Sequence, residues 1–209
     1  GGKDKVSAKE FQKKPGTKVF YKKTDQTHIA LGVRSYNIFD KRRYAADVLA
    51  TILGGGMSSR LFQLLRDKMG AAYYVRTFSD ESTDTGNFAT WAGIDNRRVE
   101  EIIKAILSEY QKIKRVKVSA AELTKAKEHL EGSLILGIET SDELASFYGF
   151  QEILKREILK PEEVIKKIRA VIANDVLEVA KDIFKLEKLN LAIIGPYKDQ
   201  KRFAGLLKI

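Results

Sequence analysis

The chain has 209 residues, 44% of them hydrophobic, with 38 Lys and Arg against 28 Asp and Glu and a formal net charge of +10. This is the composition of a folded globular chain long enough for one large core, and the absence of cysteine excludes disulfide scaffolds, thiolate zinc sites, iron–sulfur clusters and cysteine catalysis. No apolar run approaches the roughly 18–20 residues of a membrane span, so a soluble chain, cytoplasmic or periplasmic, is expected.

In chain order the first element is a basic lead-in or linker, residues 1–17, ahead of a single domain at 18–209. Residues 1–23 hold eight lysines against Asp4 and Glu10, a net of +6, which leaves only +4 for the remainder. A nucleic-acid surface interleaves its basic residues with aromatics or Arg on a folded face. A lysine-rich leading segment is a solvated one, and nucleic acid is not an expected partner. Two strands follow, Lys18–Lys23 and Thr27–Arg34, rich in β-branched and aromatic residues and separated by the turn Thr24-Asp-Gln26, which suggests an antiparallel pair. After Asp40, Tyr44, Val48, Leu49, Ile52 and Leu53 recur at helical spacing as far as Gly54-Gly-Gly56, a helix with a glycine stop. Ser58 or Ser59 can cap a second helix with Leu61, Phe62, Leu65 and Met69 on it, ended by Gly70. Strands at Ala72–Ser79 and Asn87–Asp95 are joined by a polar turn.

Beyond Asp95 the pattern is mostly helical. Val99, Ile102, Ile103, Ile106, Leu107, Tyr110 and Ile113 form one apolar stripe. Ser119-Ala-Ala-Glu122 is a capping box, Ser141-Asp-Glu-Leu144 opens another helix, Pro161 stands at the first turn of a fourth, and Asn174-Asp175 caps a fifth before a closing strand at Leu189–Ile194. Early strands, late helices and one returning strand make an α+β fold: a mainly antiparallel sheet with helices packed on one face.

Only two histidines occur, His28 in a strand and His129 in a helix, and no His stands three residues before Glu128, where Lys125 sits. A catalytic zinc commonly takes three protein ligands, at least two of them His, so no metal site is expected in this chain. Gly54-Gly-Gly-Met-Ser-Ser-Arg60 is neither a phosphate-binding loop, lacking Gly-Lys-Ser/Thr, nor a nucleophile elbow. Gly54, Gly55, Gly56, Ser58 and Ser59 can present backbone amides to an anion or a peptide carbonyl, or serve as a tight turn and helix cap. Arg66 and Tyr73, seven positions apart across Gly70, both donate hydrogen bonds. Together they can hold a substrate carbonyl and its developing oxyanion. Apart, they are an Arg in an ion pair with Asp67, Asp80 or another acid and a half-buried strand aromatic.

The stretch from Gly54 to Gln63, Leu65-Arg-Asp-Lys-Met-Gly-Ala-Ala-Tyr73, Asp84-Thr-Gly-Asn-Phe88, Glu122 to Lys127, Gly132-Ser133, Glu139-Thr-Ser141 and Leu191 to Pro196 closely resemble the C-terminal homologous half of the pitrilysin, insulinase and mitochondrial processing peptidase family. The resemblance covers about residues 27–196. One departure is Met69-Gly-Ala-Ala72, where the family often has a polar residue and Leu. The resemblance implies the half without zinc of a zinc metalloendopeptidase, whose His-x-x-Glu-His lies in a homologous partner half or subunit. It implies that the two halves enclose an unfolded peptide, with Tyr73 on the peptide carbonyl or tetrahedral intermediate, Arg66 on the peptide backbone and on Tyr73, and the glycine loop along the chamber. The chain alone would then be inactive, and an isolated copy can pair with itself. The rival implication is a non-proteolytic peptide-binding or structural core subunit of the same fold.

Overall fold

A computed structural model of the chain describes residues 6–155 and 157–209; the first five residues of the expected lead-in, with Lys3, Asp4 and Lys5, lie outside the described residues. Strands β1 (Gly16–Tyr21), β2 (Gln26–Ser35), β3 (Ala72–Glu81), β4 (Gly86–Asp95) and β5 (Asn190–Gly195) form one sheet in the order β1-β5-β2-β4-β3. Every pairing is antiparallel except β1 with β5. The mainly antiparallel sheet of the sequence reading is present, but its first hairpin is not. β5 lies between β1 and β2, so Thr24-Asp-Gln26 links two strands that never pair. The physical reason is burial: in β5 Leu191 and Ile193 are buried, so this strand needs neighbours on both sides. β1, with Lys18, Phe20 and Tyr21 exposed, is suited to an edge, where lysines discourage pairing with other chains.

The helices are α1 (Arg43–Gly54), α2 (Arg60–Phe62), α3 (Val99–Arg115), α4 (Ala120–Leu136), α5 (Ser141–Lys155), α6 (Pro161–Ala170), α7 (Ala173–Ile183) and α8 (Lys201–Ala204). Alternation along β2 and β4 sends Ile29, Leu31, Val33, Phe88, Ala92 and Ile94 to one face, where α1, α3 and α7 cover them. At the centre Tyr110 stacks on Phe184 with ring centroids 4.1 Å apart, and Phe88 meets Phe184 edge-on. The Tyr110 hydroxyl lies 2.6 Å from Thr90 Oγ1, which in turn lies 2.8 Å from Thr77 Oγ1, and it donates to the Leu31 carbonyl at 3.3 Å. A buried hydroxyl chain of this kind costs little because each oxygen has a partner.

Among the described residues the opposite face of the sheet is uncovered. Phe20, Tyr74, Trp91 and Ile194 are exposed there beside the small residues Ala30, Gly32 and Ala192, which leave a shallow trough. The described part of the lead-in crosses the end of the sheet. The Ala8 amide donates to the Asp84 carboxylate at 2.8 Å, the Gln12 amide group donates to the Leu189 carbonyl at 3.0 Å, and Asn190 donates back to Gln12 Oε1 at 2.9 Å.

α5 opens at Ser141 as the sequence suggests, with the Thr140 hydroxyl just ahead of it accepting from the Glu143 amide. The start of α7 differs. Asp175 lies inside the first turn of α7 and accepts from the Ile172 amide at 2.9 Å. Among the described residues no helix is long and apolar enough to cross a membrane.

Candidate functional site

The segment between α1 and β3 concentrates the backbone irregularities of the molecule. α1 ends where Gly54 meets β3: a β-carbon there would stand 2.6 Å from the Thr77 backbone nitrogen, too close for any side chain, so glycine is what lets helix and sheet touch. Gly55 donates to the Thr51 carbonyl at 3.0 Å and the Ser59 amide to the Gly56 carbonyl at 3.0 Å. Ser59 has the extended backbone of a helix cap, but its buried hydroxyl donates to the Gly56 carbonyl at 2.6 Å and not to the role of cap acceptor. Ser58 is exposed, and its carbonyl accepts from Lys125 Nζ at 3.1 Å. Arg60 grips Glu122 of α4 through Nε and Nη2 at 2.7 and 3.0 Å, and a cavity of about 170 Å³ lies between this loop, Lys125 and His129.

The second helix of the sequence reading is only partly α-helical. After Phe62 the turn widens over Gln63–Lys68, with the Met69 amide donating to the Leu64 carbonyl at 3.0 Å, five residues back instead of four. Single wide turns of this type occur disproportionately at functional sites. Arg66 sits on it, exposed, its guanidinium 5.1 Å from the centre of the Phe62 ring. Among the described residues it forms no ion pair with Asp67, Asp80 or any other acid. Gly70, at φ +58°, reverses the chain in a conformation that a β-carbon resists.

Tyr73 follows on a second irregularity. Ala72 is opposite Ile94 and Tyr74 opposite Gly93, so Tyr73 is the extra residue of a β-bulge. A bulge turns a side chain away from the pleat, and Tyr73 is 57% exposed rather than half-buried. No hydrogen bond joins Arg66 to Tyr73; the two share a turn and an exposed edge. One residue that the motifs did not single out lies close by. Arg97, held by Asp95 at 2.8 Å, is within electrostatic reach of the Tyr73 phenol, and only the three-dimensional return of β4 beside β3 puts it there.

The residues present do not fit a zinc site. His28 Nδ1 lies 3.0 Å from the Tyr74 hydroxyl on the bare sheet face, whereas His129 lies on α4 with its ring near Gly56. Among the described residues no group of three or more His, Cys, Asp or Glu is placed to hold a metal ion.

Comparison with known proteins adds a family context to this geometry. A family model described as the peptidase M16 inactive domain matches residues 1–130. A Streptomyces coelicolor protein named an uncharacterized zinc protease is 35% identical over 180 residues, covering 86% of this chain and 39% of its own length, so the chain spans about two fifths of that curated relative. A protease from Helicobacter pylori superposes with a TM-score of 0.79 at 25% identity, covering 86% of this chain and 44% of its own. The structure of a peptidase M16 inactive domain from Pseudomonas fluorescens gives a TM-score of 0.81 at 18% identity, covering 95% of this chain and 48% of its own; that likeness is one of fold.

Proposed function

This chain belongs to the peptidase M16 family, as its inactive domain, and from that premise we propose that it forms a peptide chamber with a zinc-bearing half and positions the scissile region of the peptide with Arg66 and Tyr73. The observation that carries the proposal is the coincidence of both residues with backbone irregularities, the wide turn at Gln63–Lys68 and the bulge at Tyr73, which leave two hydrogen-bond donors exposed on one edge. A fold without work for these side chains gains nothing from a wide turn and a bulge in succession. Zinc belongs to the partner half, and this chain supplies none of its ligands. Its own contribution is electrostatic and geometric. The Tyr73 hydroxyl donates to the carbonyl oxygen as negative charge develops there, and the Arg66 guanidinium donates to a neighbouring peptide carbonyl and holds the backbone in line. The loop from Gly54 to Ser58, exposed at Met57 and Ser58, borders the path of the peptide.

A missing partner also accounts for the uncovered apolar surface. Phe150 and Ile153 of α5 are 66% and 78% exposed, and among the described residues the sheet trough opposite the helices is uncovered. Both are suited to a homologous half.

The test supplies the zinc-bearing half and measures peptide cleavage. Tyr73→Phe and Arg66→Ala should each lower kcat by about 10²–10³, the range for loss of one oxyanion donor, with no change in the thermal stability of this domain. Near wild-type turnover in both variants would leave the structural-subunit reading in possession of the site.

A further inference from the structure

The turn that carries Arg66 and Tyr73 is held from outside by one guanidinium. Arg98, the residue ahead of α3, donates from Nη1 to the Met69 carbonyl at 2.6 Å, while its Nε and Nη2 donate to Glu101 at 2.8 and 2.9 Å. Met69 is where the wide turn closes, through its amide on the Leu64 carbonyl, and it lies midway between Arg66 and Tyr73. The same β4–α3 connection touches the turn a second time, as the Asp95 amide donates to the Ala71 carbonyl at 3.3 Å. Both contacts flank Gly70, the positive-φ pivot of the reversal.

We propose that Arg98 is a positioning residue of the assembled enzyme, fixing the Met69 carbonyl to the start of α3 and thereby setting where Arg66 and Tyr73 meet the peptide. The proposal rests on the reading of Arg66 and Tyr73 given above. Three features set this contact apart from an ordinary surface ion pair. A carbonyl at the end of a helical turn lacks an intrahelical partner and favours a cation. The Glu101 fork leaves the guanidinium little freedom, so the third donor points one way. And α3 does not need Arg98 to stay docked, because Val99, Ile102 and Ile103 are fully buried beside it. Arg98 therefore matters little to whether the domain folds and much to where one turn sits, and a displacement of about 1 Å at a positioning group can cost up to about a hundredfold in rate.

The experiment uses this chain together with its zinc-bearing half. Arg98→Met, which keeps the apolar stem and removes every donor, should lower kcat about tenfold with KM unchanged. Arg98→Lys, which restores one donor to the Met69 carbonyl without the fork, should recover part of the loss and serves as the reporter if the Met variant fails to fold. In an Arg66→Ala/Tyr73→Phe background nothing is left to position, so Arg98→Met should cause no further loss of kcat, a non-additivity that a purely structural role would not produce. Wild-type kcat in Arg98→Met, a loss confined to KM, or a full tenfold loss repeated in the double-variant background would each overturn the proposal while leaving the Arg66 and Tyr73 reading intact. If Tyr73→Phe and Arg66→Ala alone keep wild-type turnover, that reading fails first and the role of Arg98 fails with it.

Discussion

Helices α3 and α5 are of similar length, 17 and 15 residues, and similar in the number of large apolar residues they carry, yet α3 buries seven such side chains and α5 buries none. Val99, Ile102, Ile103, Ile106, Leu107, Tyr110 and Ile113 all face the sheet or α7, whereas Leu144, Phe150, Ile153 and Leu154 remain exposed and Gln151 is the only residue of α5 that is buried. Gln151 is occupied with the chain itself: its side chain accepts from the Leu159 amide and donates to the Leu159 carbonyl, which fixes the link to α6 and leaves the apolar residues where they are. Amphipathic helices are stabilised chiefly by what they pack on, and α5 differs from α3 in its sequence as well as its surroundings: its apolar residues are spread round the helix rather than gathered in one stripe. α3 belongs to the core of this domain; α5 carries core-like side chains with no cover among the described residues.

The largest effect that would break this contrast is thermal. Ile103→Ala on α3 should destabilise the isolated chain by about 3 kcal/mol, the cost of removing a fully buried aliphatic side chain and leaving a cavity, and lower Tm by roughly 6–12 °C for a chain of this size. Ile153→Ala on α5 should stay within about 0.5 kcal/mol of wild type. Equal losses in a thermal melt would mean that α5 is packed in the isolated chain after all.

Second in size is an effect on assembly. Phe150→Asp or Ile153→Asp should leave the melt of the isolated chain unchanged and weaken its association with the zinc-bearing half by about tenfold or more, as for a buried apolar anchor at an interface. Sedimentation or calorimetric titration of the two halves reads this directly. The same variants should abolish any self-association of the isolated chain, because one uncovered face would serve both partners.

The contrast also marks how far the sequence is legible. The α3 stripe is visible because local period and tertiary burial coincide, and the capping box at Ser119 and Glu122 is present in full, each residue bonding to the backbone amide of the other. The β1–β2 pairing that the turn suggests does not form, because a turn signal is local, whereas β5, some 170 residues on, decides the neighbours of both strands. At the candidate site, the glycines, Arg66 and Tyr73 stand out by residue type and by family resemblance. The wide turn and the bulge that expose the last two do not, since an extra residue in a ladder leaves no trace in composition or period. Arg98 is hidden for the same reason, its partner being a backbone carbonyl that carries no sequence identity.

α4 lies between the two extremes and supplies a smaller effect. It buries only Ala126 and is tied to the loop after α1 by polar bonds, chiefly Arg60 with Glu122. The Arg60 hydrogen bonds outweigh the opposing effect of burial and hold the Glu122 carboxyl down to about 2 from an ordinary 4.5. The folded state thus favours the carboxylate, so the bond stabilises above the unfolded value near 4.5 and its contribution is lost as pH falls from there toward 2. With both partners roughly a quarter to a third exposed, about 1 kcal/mol is the expected size after solvent screening. Melts of wild type and Glu122→Gln should differ by that amount at pH 7 and converge only as pH falls to about 2 and below; a gap that persists there would show that Glu122 acts through something other than the ion pair.

The smallest effect is expected at Gly56, and it sets that glycine apart from Gly54. A β-carbon at Gly56 would meet nothing nearer than His129 Cε1 at 3.6 Å, and Gly56 does not share the positive φ of Gly70. Gly56→Ala should therefore leave the melt unchanged or raise stability by about 0.4–1 kcal/mol through the unfolded chain, whereas Gly54→Ala would press against the Thr77 backbone and destabilise. The glycine at 54 serves the fold, and the glycine at 56 is dispensable to it. If the loop borders the peptide, the assembled enzyme should show the reverse ranking in KM, with Gly56→Ala raising it at constant kcat because a methyl group narrows the path of the substrate without touching Arg66 or Tyr73. An unchanged KM in Gly56→Ala would confine the loop to its structural duty as the turn between α1 and α2.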